Sequence, residues 1–124
     1  MTVTILLNSA MMPDEGLYIL QRVSREFFGE LVADAHRRSN LQSYIGYPET
    51  AQHIEKISGV PISVNRAATQ LPDQCLIAIC KLKYRVADPG AKGKLQPGED
   101  DYEYFVATYD RDYLRWRICD EKQS

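Results

Sequence analysis

The residues of this chain that could do chemistry gather around one predicted helix start. In the stretch SYIGYPETAQHIEKISG, residues 43–59, Pro48 suits the first position of a helix and Gly59 the position just after its last residue. Tyr47 is therefore the predicted N-cap, and it lacks the short side-chain oxygen that usually accepts the first free backbone N–H groups. A ligand phosphate would suit these donors and the positive end of the helix dipole. Water, the Thr50 hydroxyl or the Glu49 carboxylate would suit them as well, so the spacing leaves both alternatives open.

A second group of candidates consists of cations on one predicted strand. In CLIAICKLKYRV, residues 75–86, the alternation places Lys81, Lys83 and Arg85 in a row on one face. Like charges in a row repel each other, so either a bound anion or acidic residues of a neighbouring strand should balance them. Antiparallel pairing with DYEYFVATY, residues 101–109, supplies the acidic alternative. It would set Asp101 opposite Arg85, Glu103 opposite Lys83, Phe105 beside Lys81 and Ala107 beside Ile79.

A third anion-friendly element is the pair Asn65-Arg66, which follows the short predicted strand PISVN, residues 61–65. A ligand with several phosphates could join this pair to the helix start and to the strand-end arginine. Composition and spacing define the candidate site no further.

Composition limits the class of protein. The chain has 124 residues, enough for one domain, and its net charge of -2 argues against binding to long nucleic acid, which needs a strongly basic surface. Three cysteines without a CxxC pair, together with two histidines, assemble no convincing metal set. The glycine motifs GxxxxGK[ST] and GxGxxG do not occur. We therefore expect neither a metal nor a cofactor.

The remaining pattern predicts an α/β (α+β) fold, a small mixed sheet flanked by helices in a single domain. TVTILLN (2–8) and GLYILQRVS (16–24) are predicted strands, and Ser24 is the predicted cap of a first helix. The predicted buried faces are Phe28, Leu31, Val32 and Ala35 on the first helix and Thr50, Ile54 and Ile57 on the second, with His53 as a half-buried packing residue. No apolar run is long enough to span a membrane and no signal peptide is recognisable, so we expect a cytoplasmic protein.

Four segments in this order carry a resemblance to a known family: ILLNSA (5–10), SYIGYPETA (43–51), GVPISVNR (59–66) and LKYRV (82–86). The chain resembles the small viral and mobile-element family that includes the type III anti-CRISPR ring nucleases, which degrade cyclic tetra-adenylate. The similarity covers most of residues 2–109. It predicts a ring-nuclease-like domain at residues 1–109, followed by an extension at residues 110–124 that docks on the core or on a partner chain.

The resemblance implies a homodimer that binds a cyclic oligonucleotide across its two-fold axis. Arg66 and Arg85 match the arginines that hold the phosphates in the family, and the planar guanidinium suits phosphate oxygens. Asn8 and Thr50 match positions that contact the ligand.

At two catalytic positions the sequence departs from the family. Tyr47 stands where the active enzymes have a histidine that acts as general acid, and Asp88 matches a catalytic glutamate with a side chain one methylene shorter. An unperturbed tyrosine titrates at about 10, compared with about 6.5 for histidine, which makes it a weaker general acid near neutral pH.

Three hypotheses follow from these matches and departures. The first is a dimeric binding protein that captures a cyclic oligoadenylate and so antagonises or regulates CRISPR-type defence signalling. The second is a slow, metal-independent ring nuclease in which Tyr47 replaces the histidine and the ribose 2′-OH attacks the neighbouring phosphate. The third is a protein-interaction module that binds no cyclic nucleotide.

Overall fold

The computed structural model describes residues 2–10, 14–83 and 98–112. Their elements, in chain order, are β1 (Thr4–Leu7), β2 (Leu17–Val23), α1 (Arg25–Arg37), β3 (Leu41–Ser43), α2 (Pro48–Ser58), β4 (Leu76–Leu82), a short 3-10 turn (Glu99–Asp101) and β5 (Tyr102–Asp110). The predicted end of the fourth strand at 84–86, most of the loop 87–100 and residues 113–124 lie outside the described residues.

The described strands form one mixed sheet in the order β2-β5-β4-β1-β3. β1 lies parallel to both of its neighbours, β3 and β4, whereas β5 runs antiparallel to β4 and to the edge strand β2. The two helices contact each other and pack on one face of this sheet. The predicted fold class, a mixed sheet with flanking helices in a single domain, is confirmed.

Helix α1 begins and packs as its sequence predicts. The Ser24 hydroxyl is the N-cap and accepts the backbone N–H of Phe27 at 3.1 Å. Phe28 and Val32 are fully buried on the core face, while Leu31 is partly buried beside them. Spacings of three and four residues thus place one apolar stripe on the sheet.

Helix α2 has the predicted ends, because both are set by local chemistry. Pro48 occupies the first helical position, and Gly59 ends the helix in the left-handed conformation at φ 75°. The buried residues are Thr50, Ala51, His53 and Ile54, and Ile57 is partly buried against the same core. His53 is more deeply buried than the half-buried position we expected, with 8% of its surface exposed.

Apolar side chains fill both faces of the sheet. The face under the helices contains Leu6, Phe28, Val32, Ile45, Ile54, Ala78, Cys80, Tyr102 and Tyr104, with other buried residues. The opposite face contains Ile5, Leu7, Leu71, Cys75, Ile77, Ile79, Ala107 and Tyr109. β1 and β4 contribute to both clusters, since alternate residues of a strand point to opposite faces.

The predicted register between β4 and β5 is wrong by two residues. Lys81 lies opposite Glu103 and Ile79 opposite Phe105, whereas we expected Glu103 opposite Lys83. The Glu103 carboxylate forms an ion pair with Arg22 of β2 instead of Lys83. A shift of two residues leaves every side chain on the same face, so the apolar alternation does not distinguish the two registers.

The predicted strand at residues 61–65 is also wrong. Val64 forms a single isolated bridge with Ile45, and no ladder extends from it. The segment is instead fixed at separate points: the backbone N–H of Ile62 donates to the Glu55 carboxylate at 2.8 Å, and that of Asn65 donates to the Ile45 carbonyl at 2.8 Å. These contacts hold the segment beside the chain that leads into α2.

Candidate functional site

The candidate site lies at the edge of the sheet where the three parallel strands end. Because β1, β3 and β4 run in the same direction, their carboxyl ends meet at one edge, the usual location of ligand sites in parallel sheets. Asn8 follows β1, Gly46 and Tyr47 follow β3, and Lys83 follows β4. The topology thus brings together segments that are far apart in the sequence.

Asn8 ties the end of β1 to the start of α2. Its side-chain Oδ1 accepts the backbone N–H of Gly46 at 3.1 Å, and the neighbouring backbone bond runs from the Tyr44 N–H to the Leu6 carbonyl at 2.9 Å. Both Asn8 and Gly46 are half-buried. Asn8, predicted as a ligand contact, therefore has a structural role in holding the turn before α2.

Arg66 reaches the same turn from the other side. Its Nε–H donates to the Gly46 carbonyl at 2.7 Å, and its guanidinium carbon lies 5.6 Å from the centroid of the Tyr47 ring. An arginine carries five N–H donors, so four remain for other partners after the bond to Gly46. Among the described residues, Arg66 forms no ion pair with Glu49 or any other carboxylate, and its side chain is exposed.

The start of α2 has the open geometry that its sequence predicts. Tyr47 is the N-cap, in extended conformation, and its side chain makes no cap hydrogen bond. Pro48 has no N–H, so the first-turn donors without an N-cap acceptor are the backbone N–H groups of Glu49 and Thr50. Thr50 as a whole residue is only 3% exposed, so a ligand at this turn would meet the exposed Glu49 before Thr50. The exposed Glu49 carboxylate adds a negative charge at the same end.

Two predicted site residues, Arg85 and Asp88, lie outside the described residues. Lys83, the last described residue before them, follows β4, is exposed, and donates its backbone N–H to the Asp101 carbonyl at 2.9 Å. Of the six predicted site residues, the structure thus brings four into one neighbourhood: Asn8, Tyr47, Thr50 and Arg66.

Asn65, expected to belong to an anion-friendly pair with Arg66, has a positioning role in the structure. Its side-chain Oδ1 accepts the backbone N–H of Ala67 at 3.0 Å, while its own N–H is bound to the Ile45 carbonyl. The backbone on both sides of Arg66 is fixed by these two bonds. An asparagine that bonds its own backbone two residues further on is a common turn signal, and in Asn65-Arg66-Ala67 it could have been recognised.

His53, whose type suggested chemistry, belongs to the core. Its Nε2 lies 2.7 Å from the Tyr104 hydroxyl, and its ring stacks on that of Tyr102 with a centroid distance of 4.1 Å. The sequence near His53 does not predict these partners, because both tyrosines belong to β5, about 50 residues further along the chain. The histidine anchors α2 to the sheet below the site.

The two cysteines with a raised pKa are not among the predicted site residues. Burial raises the pKa of the Cys80 thiol to about 12 and also raises the pKa of Cys75. Protonated, buried thiols are poor nucleophiles and poor metal ligands. Among the described residues, no three His, Cys, Asp or Glu side chains converge on a possible metal site.

No described helix is long and apolar enough to cross a membrane. An open groove of about 400 Å³ lies on the helix side of β2 and β5, and its apolar lining includes Ile19, Val23, Phe27 and Val106. This groove is separate from the edge where the parallel strands end.

Comparison with known proteins gives a family. Among solved structures, the fold is similar to B116 of Sulfolobus turreted icosahedral virus, with a TM-score of 0.68 and 12% sequence identity over 85% of this chain and 97% of the viral chain. At that identity the similarity shows a shared fold alone. No curated protein matches the chain. A family model described as STIV B116-like matches residues 4–100, which is most of the sequence, and the chain therefore belongs to the STIV B116-like family.

Proposed function

We propose that this protein binds a cyclic oligoadenylate, with cyclic tetra-adenylate as the first candidate, and so antagonises or regulates CRISPR-type defence signalling. The observation that carries the proposal is the placement of Arg66. Its guanidinium is fixed on the Gly46 carbonyl at the start of an uncapped helix, beside Asn8, and has no carboxylate partner among the described residues.

Several parts of this arrangement favour a phosphate, and they must outweigh the exposed Glu49 carboxylate in the first turn of α2. Four guanidinium N–H groups of Arg66 are available, and the backbone N–H groups of Glu49 and Thr50 point out of the positive end of α2. The exposed Lys83 adds a further positive charge at the same edge of the sheet. A compact ligand with several phosphates would use these separate elements together, whereas the net charge of -2 disfavours long nucleic acid.

We also propose a homodimer, because the anion-binding elements of one chain form a site that is small for a cyclic tetranucleotide. A cyclic tetranucleotide has two-fold symmetry, and two copies of the site related by a two-fold axis would match it. We therefore expect one ring to bind per two chains. The resemblance also assigns phosphate holding to Arg85 and catalysis to Asp88, and both residues lie outside the described part of the chain.

Retention of the ring, rather than its cleavage, fits the residue at position 47. The ring nucleases that the sequence resembles use a histidine there, and here the Tyr47 ring is engaged by the Arg66 guanidinium. A slow ring nuclease is the second candidate, since this same contact places a hydroxyl-bearing side chain with 53% exposure next to the phosphate-binding elements. The two functions differ in the fate of the ring.

Binding and cleavage should be measured on the same sample. The purified protein is mixed with cyclic tetra-adenylate without added metal, affinity and stoichiometry are measured by calorimetry, and the ring is followed by mass spectrometry. We expect tight binding and an intact ring. We expect Arg66→Ala to lower the affinity at least tenfold, since hydrogen bonds to charged groups contribute about 1.5–3 kcal/mol. Arg37→Ala is the matched control, because Arg37 is an exposed arginine that pairs with Asp34 at the end of α1.

The alternatives give different results. A linear product ending in a 2′,3′-cyclic phosphate, abolished by Tyr47→Phe with affinity retained, would establish the slow nuclease. No binding by the wild-type protein, and no loss of function in the Arg66→Ala, Arg85→Ala double variant, would favour the protein-interaction module and refute the proposal.

A further inference from the structure

Tyr47 is an unusual residue for its position. N-cap positions favour Ser, Thr, Asp or Asn, whose short side chains bond the first turn, and Tyr47 makes no such bond. Its ring instead projects into solvent with 53% of the residue exposed. A large exposed ring at the mouth of a site offers contact area that an N-cap does not need.

The ring is paired with a cation in a fixed position. The guanidinium of Arg66 lies over Tyr47 at 5.6 Å from the ring centroid, within the range of cation–π interactions. The guanidinium is held by its Nε–H bond to Gly46, and the backbone around Arg66 is held by the two hydrogen bonds of Asn65. The two flat groups are thus arranged before any ligand arrives, and little ordering is needed on binding.

We propose that Tyr47 and Arg66 form a stacking platform for a purine base of the ligand. This inference rests on the proposed function and names the part of the ligand that the site recognises besides its phosphates. Aromatic rings and arginine planes are the surfaces on which proteins stack unpaired bases, and a purine covers more of such a surface than a pyrimidine. The base lies on the platform, while the adjacent phosphate meets the N–H groups of Arg66 and of the first turn of α2.

The platform gives position 47 a role that differs from acid catalysis. Stacking needs the aromatic face and not the hydroxyl, so Tyr47→Phe should preserve it and Tyr47→Leu should remove it. The test compares cyclic tetra-adenylate with cyclic tetra-uridylate, which has the same phosphates and riboses but smaller bases. Affinities are measured by calorimetry for the wild-type protein and for each variant.

We expect the wild-type protein to prefer the adenine ring at least tenfold. Tyr47→Leu should weaken binding of cyclic tetra-adenylate about tenfold, as expected for the loss of one base stacked on an aromatic ring, and should abolish the preference between the two rings. Tyr47→Phe should restore both the affinity and the preference. Phe27→Leu is the matched control, because Phe27 is a similarly exposed aromatic residue, 51% exposed, that lies outside the site.

The measurements distinguish failure of the stacking platform from failure of the proposed function. If Arg66→Ala weakens binding of both rings while Tyr47→Leu binds both as the wild type does, the platform is refuted and the proposed function stands. If Tyr47→Leu weakens both rings equally, the side chain supports the phosphate site and does not recognise the base, which also refutes the platform. If the wild-type protein binds neither ring, the proposed function fails and the platform with it.

Discussion

Two substitutions of Asn8 would test separately whether this residue holds the turn before α2 and whether an anion binds beside it. Its Oδ1 accepts the Gly46 N–H at 3.1 Å, between the end of β1 and the start of α2. Asn8→Ala leaves that N–H without its acceptor, which costs about 1–3 kcal/mol for a buried group. Both residues are half-buried, so water can replace part of the lost bond. We therefore expect the free energy of unfolding to fall by about 1 kcal/mol.

Asn8→Asp keeps an acceptor oxygen in the same place but adds a negative charge to the proposed anion site. We expect its stability to stay within about 0.5 kcal/mol of the wild type, because the hydrogen bond to Gly46 is preserved. A phosphate about 7 Å away would be repelled by about 2 kcal/mol at an effective dielectric constant of about 20, and salt reduces this energy further. The affinity for cyclic tetra-adenylate should therefore fall about tenfold in Asn8→Asp.

The assay combines urea unfolding with calorimetric binding of cyclic tetra-adenylate at two salt concentrations. Asn40→Ala is the control, because Asn40 is also half-buried but its hydrogen bonds in the described structure are made by its backbone. Equal stability of Asn8→Ala and the wild type would refute the structural role of the contact. Undiminished binding by Asn8→Asp would mean that no anion binds at this edge of the sheet.

Three further predictions concern the packing beneath the site. Gly29→Ala should lower the free energy of unfolding by about 1–3 kcal/mol, because the added Cβ would lie 2.6 Å from a backbone carbonyl oxygen of α2. Gly46→Ala is the control: the nearest atom to its Cβ, beyond its chain neighbours, would lie 3.6 Å away, so the variant should unfold at nearly the same urea concentration as the wild type. Tyr104→Phe should lower the free energy of unfolding, measured by thermal unfolding, by about 1–2 kcal/mol, because it removes the hydroxyl that lies 2.7 Å from Nε2 of the buried His53. Stability should also fall in alkali through Cys80, whose pKa rises from 9.0 to about 12 on folding. Above pH 9.0 the unfolded thiol loses its proton while the folded thiol keeps it, so the unfolded state binds fewer protons and the free energy of unfolding decreases with pH. Between pH values of about 8 and 10.5 the wild type should lose about 2 kcal/mol more than Cys80→Ala, and parallel pH profiles for the two proteins would contradict this assignment.

The helices could be predicted because their ends are coded locally. Ser24, Pro48 and Gly59 act through the backbone within one turn of themselves, and each has the predicted role in the structure. The pairing of β4 with β5 could not be predicted in the same way. Alternation reveals which side chains share a face but is unchanged by a shift of two residues, and the ion pair of Glu103 with Arg22 depends on a third strand.

The candidate site was predictable in its residue types and only partly in its geometry. Arg66 and the start of α2 were identified from the sequence, but the bond that joins them ends on the carbonyl of Gly46. A backbone carbonyl has no sequence signature. The approach of the two segments depends on the bridge between Ile45 and Val64, a long-range parallel contact that propensity does not encode.

Arg66 is held in a way that does not depend on the side chain at position 47. The hydrogen bonds that fix this arginine and its neighbour Asn65 are made to backbone atoms of Gly46, Ile45 and Ala67. None of them uses the Tyr47 side chain, which touches the guanidinium through its ring face. A change of side chain at position 47 would therefore leave the phosphate-binding elements in place and alter what happens to a ligand bound there. Under the proposed function, the phenol ring at this position supplies a surface for a base, whereas the imidazole that the resemblance implies for the ring nucleases would supply a proton to the leaving oxygen.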